Sequence, residues 1–198
     1  MVIFQSNGKG EIKLNFYIGD LHFGHKNVLE FDHRPYLDVE DMDRNLIKCW
    51  NDKVSDDDNV YILGDFAFCN KKPEEWYLEQ LKGKKHLVIG NHDNKLLRNQ
   101  KAVGYFESVE KMMHVVDNGQ HICLCHFPIA SWYGRYKGHW HIYAHVHCDV
   151  DDAFLYMMKF EKALNATACI NYYTPSSLSE LVSHKEEILK KYMRKNSC

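Results

Sequence analysis

Three apolar runs in this chain finish alike: FYIGD at 16–20, YILGD at 61–65 and LVIGN at 87–91. Each reads as a strand of the buried type, then a glycine, then an aspartate or asparagine. Glycine lets the backbone leave a strand sharply and approach other groups closely. The polar side chain after it projects at the carboxyl edge of the sheet, where open α/β sheets place their ligands. A single Gly-Asp ending is weak evidence, because that pair also makes ordinary turns. Three such endings, with histidines at 22 and 92 beside them, are hard to attribute to turns.

The rest of the chain frames these runs. VIFQSNGKGEIKLNFYIGD reads as a hairpin about Asn7-Gly8, a strong turn signal. Val39, Met42, Leu46 and Trp50 fall at helical spacing behind Asp38 as N-cap, and PEEWYLEQL is a helix opened by proline. MMHVVD and HICLCHFP are alternating strands joined by Asn118-Gly119; HIYAHVH is another strand and ALNATACI one more. SLSELVSHKEEILKKYM is an amphipathic helix capped near Ser177 or Ser179. Strands alternate with helices in the first half and follow one another in the second, which predicts an α/β, mixed α+β architecture: a buried mixed sheet covered by helices. With four prolines and no Ser/Gly linker, residues 1–198 read as a single domain.

Composition narrows the function. Formal net charge is −2, from 25 basic and 27 acidic residues, so there is no generic attraction to nucleic acid or to an anionic membrane. Seven cysteines form no CxxC pair and no regular framework, an odd count that predicts reduced thiols and a cytoplasmic setting. The segment MVIFQSNGKGE lacks a signal-peptide core, and no run approaches the ~18 apolar residues of a membrane span.

Thirteen histidines are the outlier. HICLCHFP ends at His126, and His145 and His147 lie two apart, so on a strand both imidazoles would share a face. Near a group of aspartates they read as metal ligands; taken singly, each reads as a buried, hydrogen-bonded histidine. GNHD sharpens the point, since Asn91, His92 and Asp93 at the end of a buried strand are costly unless each finds a partner.

DLH at 20–22, GDF at 64–66, GNHD at 90–93, His126 and HVH at 145–147 match, in order, five signature blocks of the calcineurin-like metallophosphoesterases. The stretches DLHFGHKNVLEF, LCHFPIASWYGRYKGHWHIYAHVH and NATACINYYTP resemble the small bacterial and phage members, so the likeness runs over essentially the whole chain. One departure is Ala144, where the family usually has glycine; strain of order 1 kcal/mol is the most expected from it.

The resemblance implies buried β-sheets sandwiched by helices and a site for two divalent metal ions. Asp20, His22, Asp65 and His147 would take the first ion; Asp65, Asn91, His126 and His145 the second, with Asp65 bridging. Carboxylate, amide and imidazole donors without thiolate favour Mn²⁺, with Fe, Zn²⁺ or Ni²⁺ as alternatives. Cys148 adjoins His147, but the family has no thiolate ligand there, and a neighbouring strand residue should point away. Two divalent ions against two aspartates leave positive charge for a phosphate, and a water shared by two cations supplies the nucleophile near neutral pH. His92 would protonate the leaving alkoxide, with Asp93 orienting it; the plainer reading is that both merely cap NKLLRNQ.

His25, Asn27 and Arg34 follow the first ligand pair and are candidate substrate contacts, as is Asn91; Arg34 could grip a phosphate oxygen or simply lie at the surface. SWYGRYKGHW at 131–140 could be a flap whose rings stack on a base, or a loop packed on the sheet. The expectation is a phosphohydrolase for a small phosphoester, diester favoured, with a nucleotide or short oligonucleotide compatible and long nucleic acid disfavoured. A non-catalytic scaffold of the same fold is the alternative. The sequence does not speak to oligomeric state.

Overall fold

Alternation decides which side of each strand meets what. Phe16 and Ile18, Val60 and Ile62, and Leu87 pack into one apolar cluster, while their strand neighbours Tyr17, Tyr61, Leu63 and Val88 pack into another. A sheet with two apolar faces must be covered on both, and here it is. The computed structural model describes residues 6–7 and 11–195.

Two four-stranded sheets lie at the centre. The first has the order β3 (Asn15–Ile18), β4 (Asn59–Ile62), β5 (Lys84–Val88), β6 (Phe106–Glu110), all parallel. The second has the order β10 (Ala163–Asn165), β9 (Trp140–Tyr143), β8 (Gln120–Cys125), β7 (Met112–Asp117); only the β7–β8 pair is antiparallel. The sheets share an apolar interior: Tyr17, Leu63 and Val88 from the first meet Ile122, Leu124, Ile142 and Leu164 from the second. At their edges β3 meets the stretch after β10, where Gly19 N–H donates to Ala166 O at 2.9 Å and Ala168 N–H to Gly19 O at 2.9 Å.

Helices close the outer face of the first sheet. In α2 (Val39–Lys53) the buried positions Met42, Leu46 and Trp50 recur at helical spacing, and Asp38 caps the start by accepting from Asp41 N at 2.7 Å, as predicted. Full burial of each such side chain contributes about 2 kcal/mol. α1 (Val28–Phe31), α3 (Glu74–Leu78, behind Pro73), α4 (Asn94–Arg98) and α5 (Gln100–Val103) complete this layer. On the outer face of the second sheet Cys123 and Tyr143 pack on Trp132 and on Met157 of α6 (Asp152–Met158). α7 (Leu178–Lys195) begins with a capping box in which Ser177 N–H donates to Glu180 Oε2 at 2.8 Å.

The buried sheets flanked by helices that the resemblance implies are present, where the strand pattern alone suggested one sheet. Several local expectations change. The first hairpin is a pair of two-residue strands, β1 (Ser6–Asn7) and β2 (Glu11–Ile12), while the run NFYI leaves it to pair with β4; the turn after Asn7 lies outside the described residues. The Asn118-Gly119 turn is as predicted, with φ of 48° and 78° at its two residues. HIYAHVH is a strand only to Tyr143, and ALNATACI only to Asn165. β6 and α6 carry no distinctive sequence signal.

Candidate metal centre

The carboxyl ends of β3, β4, β5, β8 and β9 converge. Beyond them the backbone twists into the left-handed region at Asp20 (φ 52°), His22 (52°), Asp65 (54°), His145 (71°) and His147 (44°). Each non-glycine residue held there costs of order 1 kcal/mol or more, and such residues gather where function demands them. His145 and His147 therefore arrive through two sharp backbone turns, not through strand alternation. Ala144 is not among these residues, so the expected strain is absent; Gly19 makes the room, since a Cβ there would lie 2.5 Å from that of Ala144. Gly64 and Gly90 serve the same crowding, for a Cβ on Gly90 would sit 2.3 Å from Asp65 Oδ1.

Two overlapping clusters result. Ligand atoms of Asp20, His22 and His147 lie within 4.8 Å of one another, and so do those of Asp20, Asp65 and His126. Asp65 Oδ2 stands between the clusters, 3.8 Å from His22 Nε2 and 3.6 Å from His126 Nε2. His22 and His147 face each other with Nε2 atoms 3.4 Å apart. His126 Nδ1 donates to the Leu63 carbonyl at 2.6 Å, which in the neutral ring leaves Nε2 as the acceptor. Nε2 points at Asn91 Oδ1, 2.9 Å away, so the two expected ligand atoms converge. The His145 ring lies 5.0 Å from that of His126, at the exposed rim.

These residues fit divalent cations. Asp20 is fully buried; its Oδ2 accepts from Thr167 Oγ1 at 2.7 Å and His145 N at 2.9 Å, but Oδ1 has no hydrogen-bond partner. A buried carboxylate oxygen left bare is costly, and convergent acceptors repel until a cation joins them. Burial, then the facing His147, pushes the His22 imidazole well below its ordinary pKa. Burial and then His126 lower His145. Both therefore stand as neutral rings, the form that ligates metal. Burial drives the Asp65 carboxyl upward, as expected for an anion short of counter-charge.

Comparison with known proteins agrees with the geometry. A family model described as calcineurin-like phosphoesterase matches residues 16–126. The chain belongs to the calcineurin-like phosphoesterases. It is similar to the uncharacterized protein MJ1445 of Methanocaldococcus jannaschii, 32% identical over 169 residues, covering 84% of this chain and 88% of that one. The gene 66 protein of Mycobacterium phage L5 is 33% identical over 133 residues, covering 59% of this chain and 64% of its own. Among solved structures, AQ665 of Aquifex aeolicus, a protein of unknown function, aligns with a TM-score of 0.66 at 25% identity, covering 85% of this chain and 97% of that one. The family match ends at His126, so the placement of His145 and His147 rests on the geometry above.

Around the phosphoesterase centre, three expected roles change. Arg34 is 4% exposed, and its guanidinium is spent: Nε and Nη2 on Asp32 Oδ2 at 3.0 and 2.9 Å, Nη1 on Leu21 O at 2.8 Å, Nη2 on Asp20 O at 2.8 Å. With Nη1 also directed at Met42 Sδ, 3.6 Å away, it is a buried brace and has no donor left for a phosphate. Asp93 is fully buried and does not hold His92; its carboxylate accepts from the backbone N–H groups of Gly90 (2.7 Å), Asp65 (3.0 Å) and Phe66 (3.0 Å), tying the GNHD and GDF loops together. Nor does its side chain cap α4. Asn27 is exposed and makes no side-chain capping bond.

His92 and His25 do reach the centre. The His92 ring lies 5.7 Å from His22 and 4.1 Å from Phe68, while its N–H donates to Asp65 Oδ1 at 2.8 Å. His25 lies 5.5 Å from His22, with Nδ1 buried and unpartnered. Asn91 is exposed at the rim. The 131–140 segment is docked by Trp132, 5% exposed, stacked on His141 with Nε1 donating to His139 O at 2.9 Å. Since β9 starts beside Ile122, at the opposite end of β8 from His126, the segment lies toward the far edge of the sheet. Two supporting residues carried no sequence signal. Thr167 braces Asp20, and Asp32 accepts from His147 Nδ1 at 2.7 Å. Burial works to lower His147, but Asp32 and the charge of Asp20 outweigh it and the pKa is raised.

Proposed function

We propose that the chain is a dinuclear, metal-dependent phosphohydrolase for a small phosphoester, with a diester favoured. The observation that carries this reading is the convergence of ligand atoms, the unpartnered Asp20 Oδ1 with Asp65 Oδ2, His126 Nε2 and Asn91 Oδ1, beside the His92 imidazole. Asp20, His22, Asp65 and His147 would hold one ion, and Asp65, Asn91, His126 and His145 the other. When bound, two divalent cations would supply charge for the phosphate oxygens and acidity for the attacking water.

The chain's own residues do the remaining work. Asp65 N–H and its carboxylate are pinned from two sides, by Asp93 and by His92 N, so the shared ligand cannot swing. His92 Nδ1 or Nε2 delivers the proton to the leaving oxygen; such transfer is typically worth ~10²–10⁴ in rate. Phe68 packs on its ring and fixes its plane. With Arg34 withdrawn, the close ionic partners of Asp20 and Asp65 side chains among the described residues are histidines alone. A site without a fixed cation suits the single charge of a diester better than a monoester dianion. A nucleotide or short oligonucleotide is compatible; the chain's charge balance favours no long nucleic acid. Among the described residues no helix is long and apolar enough to cross a membrane.

The test is hydrolysis of bis-p-nitrophenyl phosphate and of the monoester, after chelation and again with Mn²⁺ restored. Activity that returns with Mn²⁺, prefers the diester and collapses in His92→Ala with metal content unchanged is expected. Tight metal binding without turnover of either ester, under Mn²⁺, Fe²⁺, Zn²⁺ or Ni²⁺, would replace this reading with the scaffold alternative.

A further inference from the structure

A second group of potential ligands lies directly behind the first. Ligand atoms of Asp32, His147 and Cys169 fall within 4.8 Å of one another. The Cys148 thiol lies beside this group, 3.8 Å from the Asp32 carbonyl oxygen. Cys148 therefore does not point away from His147's surroundings, as a strand residue would, because the strand has already ended at Tyr143. The turn at His147 swings the thiol onto the Asp32 carbonyl, while Cys169 reaches Asp32 and His147 from the short 3-10 turn Ala168–Ile170 after β10.

The setting of these thiols differs from that of the others in the core. Cys123 sits in an apolar cluster with Trp132, Tyr143 and Met157, where a cysteine behaves as a small hydrophobe. Cys148 and Cys169 instead face a carboxylate and an imidazole, both already engaged by Arg34 and by the front centre. Two sulfurs, one carboxylate oxygen and one imidazole nitrogen make a donor set for a tetrahedral, thiophilic ion. The front centre, with oxygen and nitrogen donors only, prefers harder ions. We propose that Asp32, Cys169 and His147 Nδ1 form a binding site for a thiophilic divalent cation such as Zn²⁺ or Cd²⁺, with Cys148, whose thiol rests on the Asp32 carbonyl, as the fourth donor. On binding, the two thiols and Nδ1 release their protons to solvent.

The two sites contend for one imidazole. His147 turns Nε2 toward His22 and Asp20, 3.4 and 3.9 Å away, and Nδ1 toward Asp32. A cation at the rear displaces the Nδ1–H to Asp32 hydrogen bond that orients the ring. An ion bound there would then act on the front centre from behind.

The test uses the metal-free full chain titrated with Cd²⁺ and followed by thiolate-to-cadmium charge-transfer absorption in the near ultraviolet. The front centre has no thiolate and cannot give that band. A band that saturates at one ion per chain, vanishes in Cys148→Ser and in Cys169→Ser and survives in Cys123→Ser is expected. Because serine beside His147 could unsettle the fold, a second measurement leaves the chain unaltered: iodoacetamide labelling mapped by mass spectrometry. Cd²⁺ should slow labelling of Cys148 and Cys169 about tenfold or more, while half-buried Cys49 and exposed Cys69 are unaffected. Absence of the band, a band that survives both substitutions, or labelling unchanged at the two sites would overturn the proposal.

Discussion

Toward the amino-terminal ends of the first sheet, polar side chains find their complements. Tyr17 OH donates to Asp117 at 2.9 Å, Asn59 Nδ2 to Asn15 at 2.7 Å, and His86 shares a 2.8 Å bond with Ser108. At the carboxyl ends of the same strands, Asp20 Oδ1 is bare, Asn91 Oδ1 faces the Nε2 of His126 from the second sheet, and the backbone holds left-handed turns. The same sheet thus spends its polar groups on stability at one end and leaves them unspent at the other. Two buried histidines show the contrast within one residue type. His141 binds the Cys123 carbonyl through Nδ1 at 3.0 Å and accepts from Ile129 N at Nε2, also 3.0 Å; burial lowers its pKa to about 4. It is neutral and complete. His126, equally buried, has its Nε2 turned to Asn91 Oδ1.

The largest effect should come from crossing the two ends. Asp65→Asn keeps an oxygen for His92 N–H but removes the shared anion, and phosphoester hydrolysis should fall roughly a thousandfold, about 4 kcal/mol in the barrier. In the metal-free protein its new amide can donate to the bare imidazole nitrogens, so melting temperature should hold or rise. Tyr17→Phe should do the reverse, costing about 1 kcal/mol in stability and nothing in turnover. Kinetics and calorimetry on both variants check this; a Tyr17→Phe that lost turnover, or an Asp65→Asn that unfolded, would break the division between the ends.

Next comes the crowding that permits the unspent end. Gly90→Ala puts a methyl group 2.3 Å from Asp65 Oδ1 and 2.6 Å from Asp65 N, both held by other bonds. We expect about 3 kcal/mol of destabilisation in urea unfolding and loss of metal binding together. Gly119→Ala, in a turn where a Cβ meets nothing within 4 Å, should cost only the strain of its positive φ and leave metal binding intact.

What the sequence made legible follows the same division. The Gly-Asp and Gly-Asn endings, the Asn118-Gly119 turn and the Asp38 cap depend on residues adjacent in the chain, and local patterns display such dependence. The role of Asp93 was misjudged because proximity to His92 in sequence is no guide to where a carboxylate turns; three backbone N–H groups from two loops claim it. Arg34 looked available for substrate because nothing nearby in sequence announces that Leu21 and Asp20 carbonyls close over it. Asp32 and Thr167 reach the centre across 115 and 147 residues, and no spacing rule spans that distance. The two sheets follow from the family resemblance and not from the strand pattern, for a related reason. Runs such as FYIG and HIYA are apolar on both faces, so the pattern announces burial without saying what does the burying.

The smallest effect concerns a third kind of carboxylate, buried like Asp20 but satisfied like Asp117. Glu74 accepts from Asn70 at 2.9 Å and Asn99 at 3.0 Å and pairs with Lys95 at 3.0 Å. Burial works to raise its pKa, but the hydrogen bonds from Asn99 and Asn70, its own backbone N–H and Lys95 outweigh burial and bring it from 4.5 to about 2. A carboxyl lowered on folding stabilises the native state above its unfolded pKa. That contribution is complete above pH 4.5 and fades as pH falls toward 2. Melting temperatures of the parent and of Glu74→Gln should therefore differ most near neutrality, by the equivalent of about 1 kcal/mol, and converge in acid. If the gap instead stayed constant with pH, the carboxylate's charge would be irrelevant and Glu74 would hold its asparagines by shape alone. Because α3 lies on the helical side of the first sheet, metal binding should be indifferent to this substitution. That indifference separates a carboxylate satisfied by the protein from those left waiting for a cation.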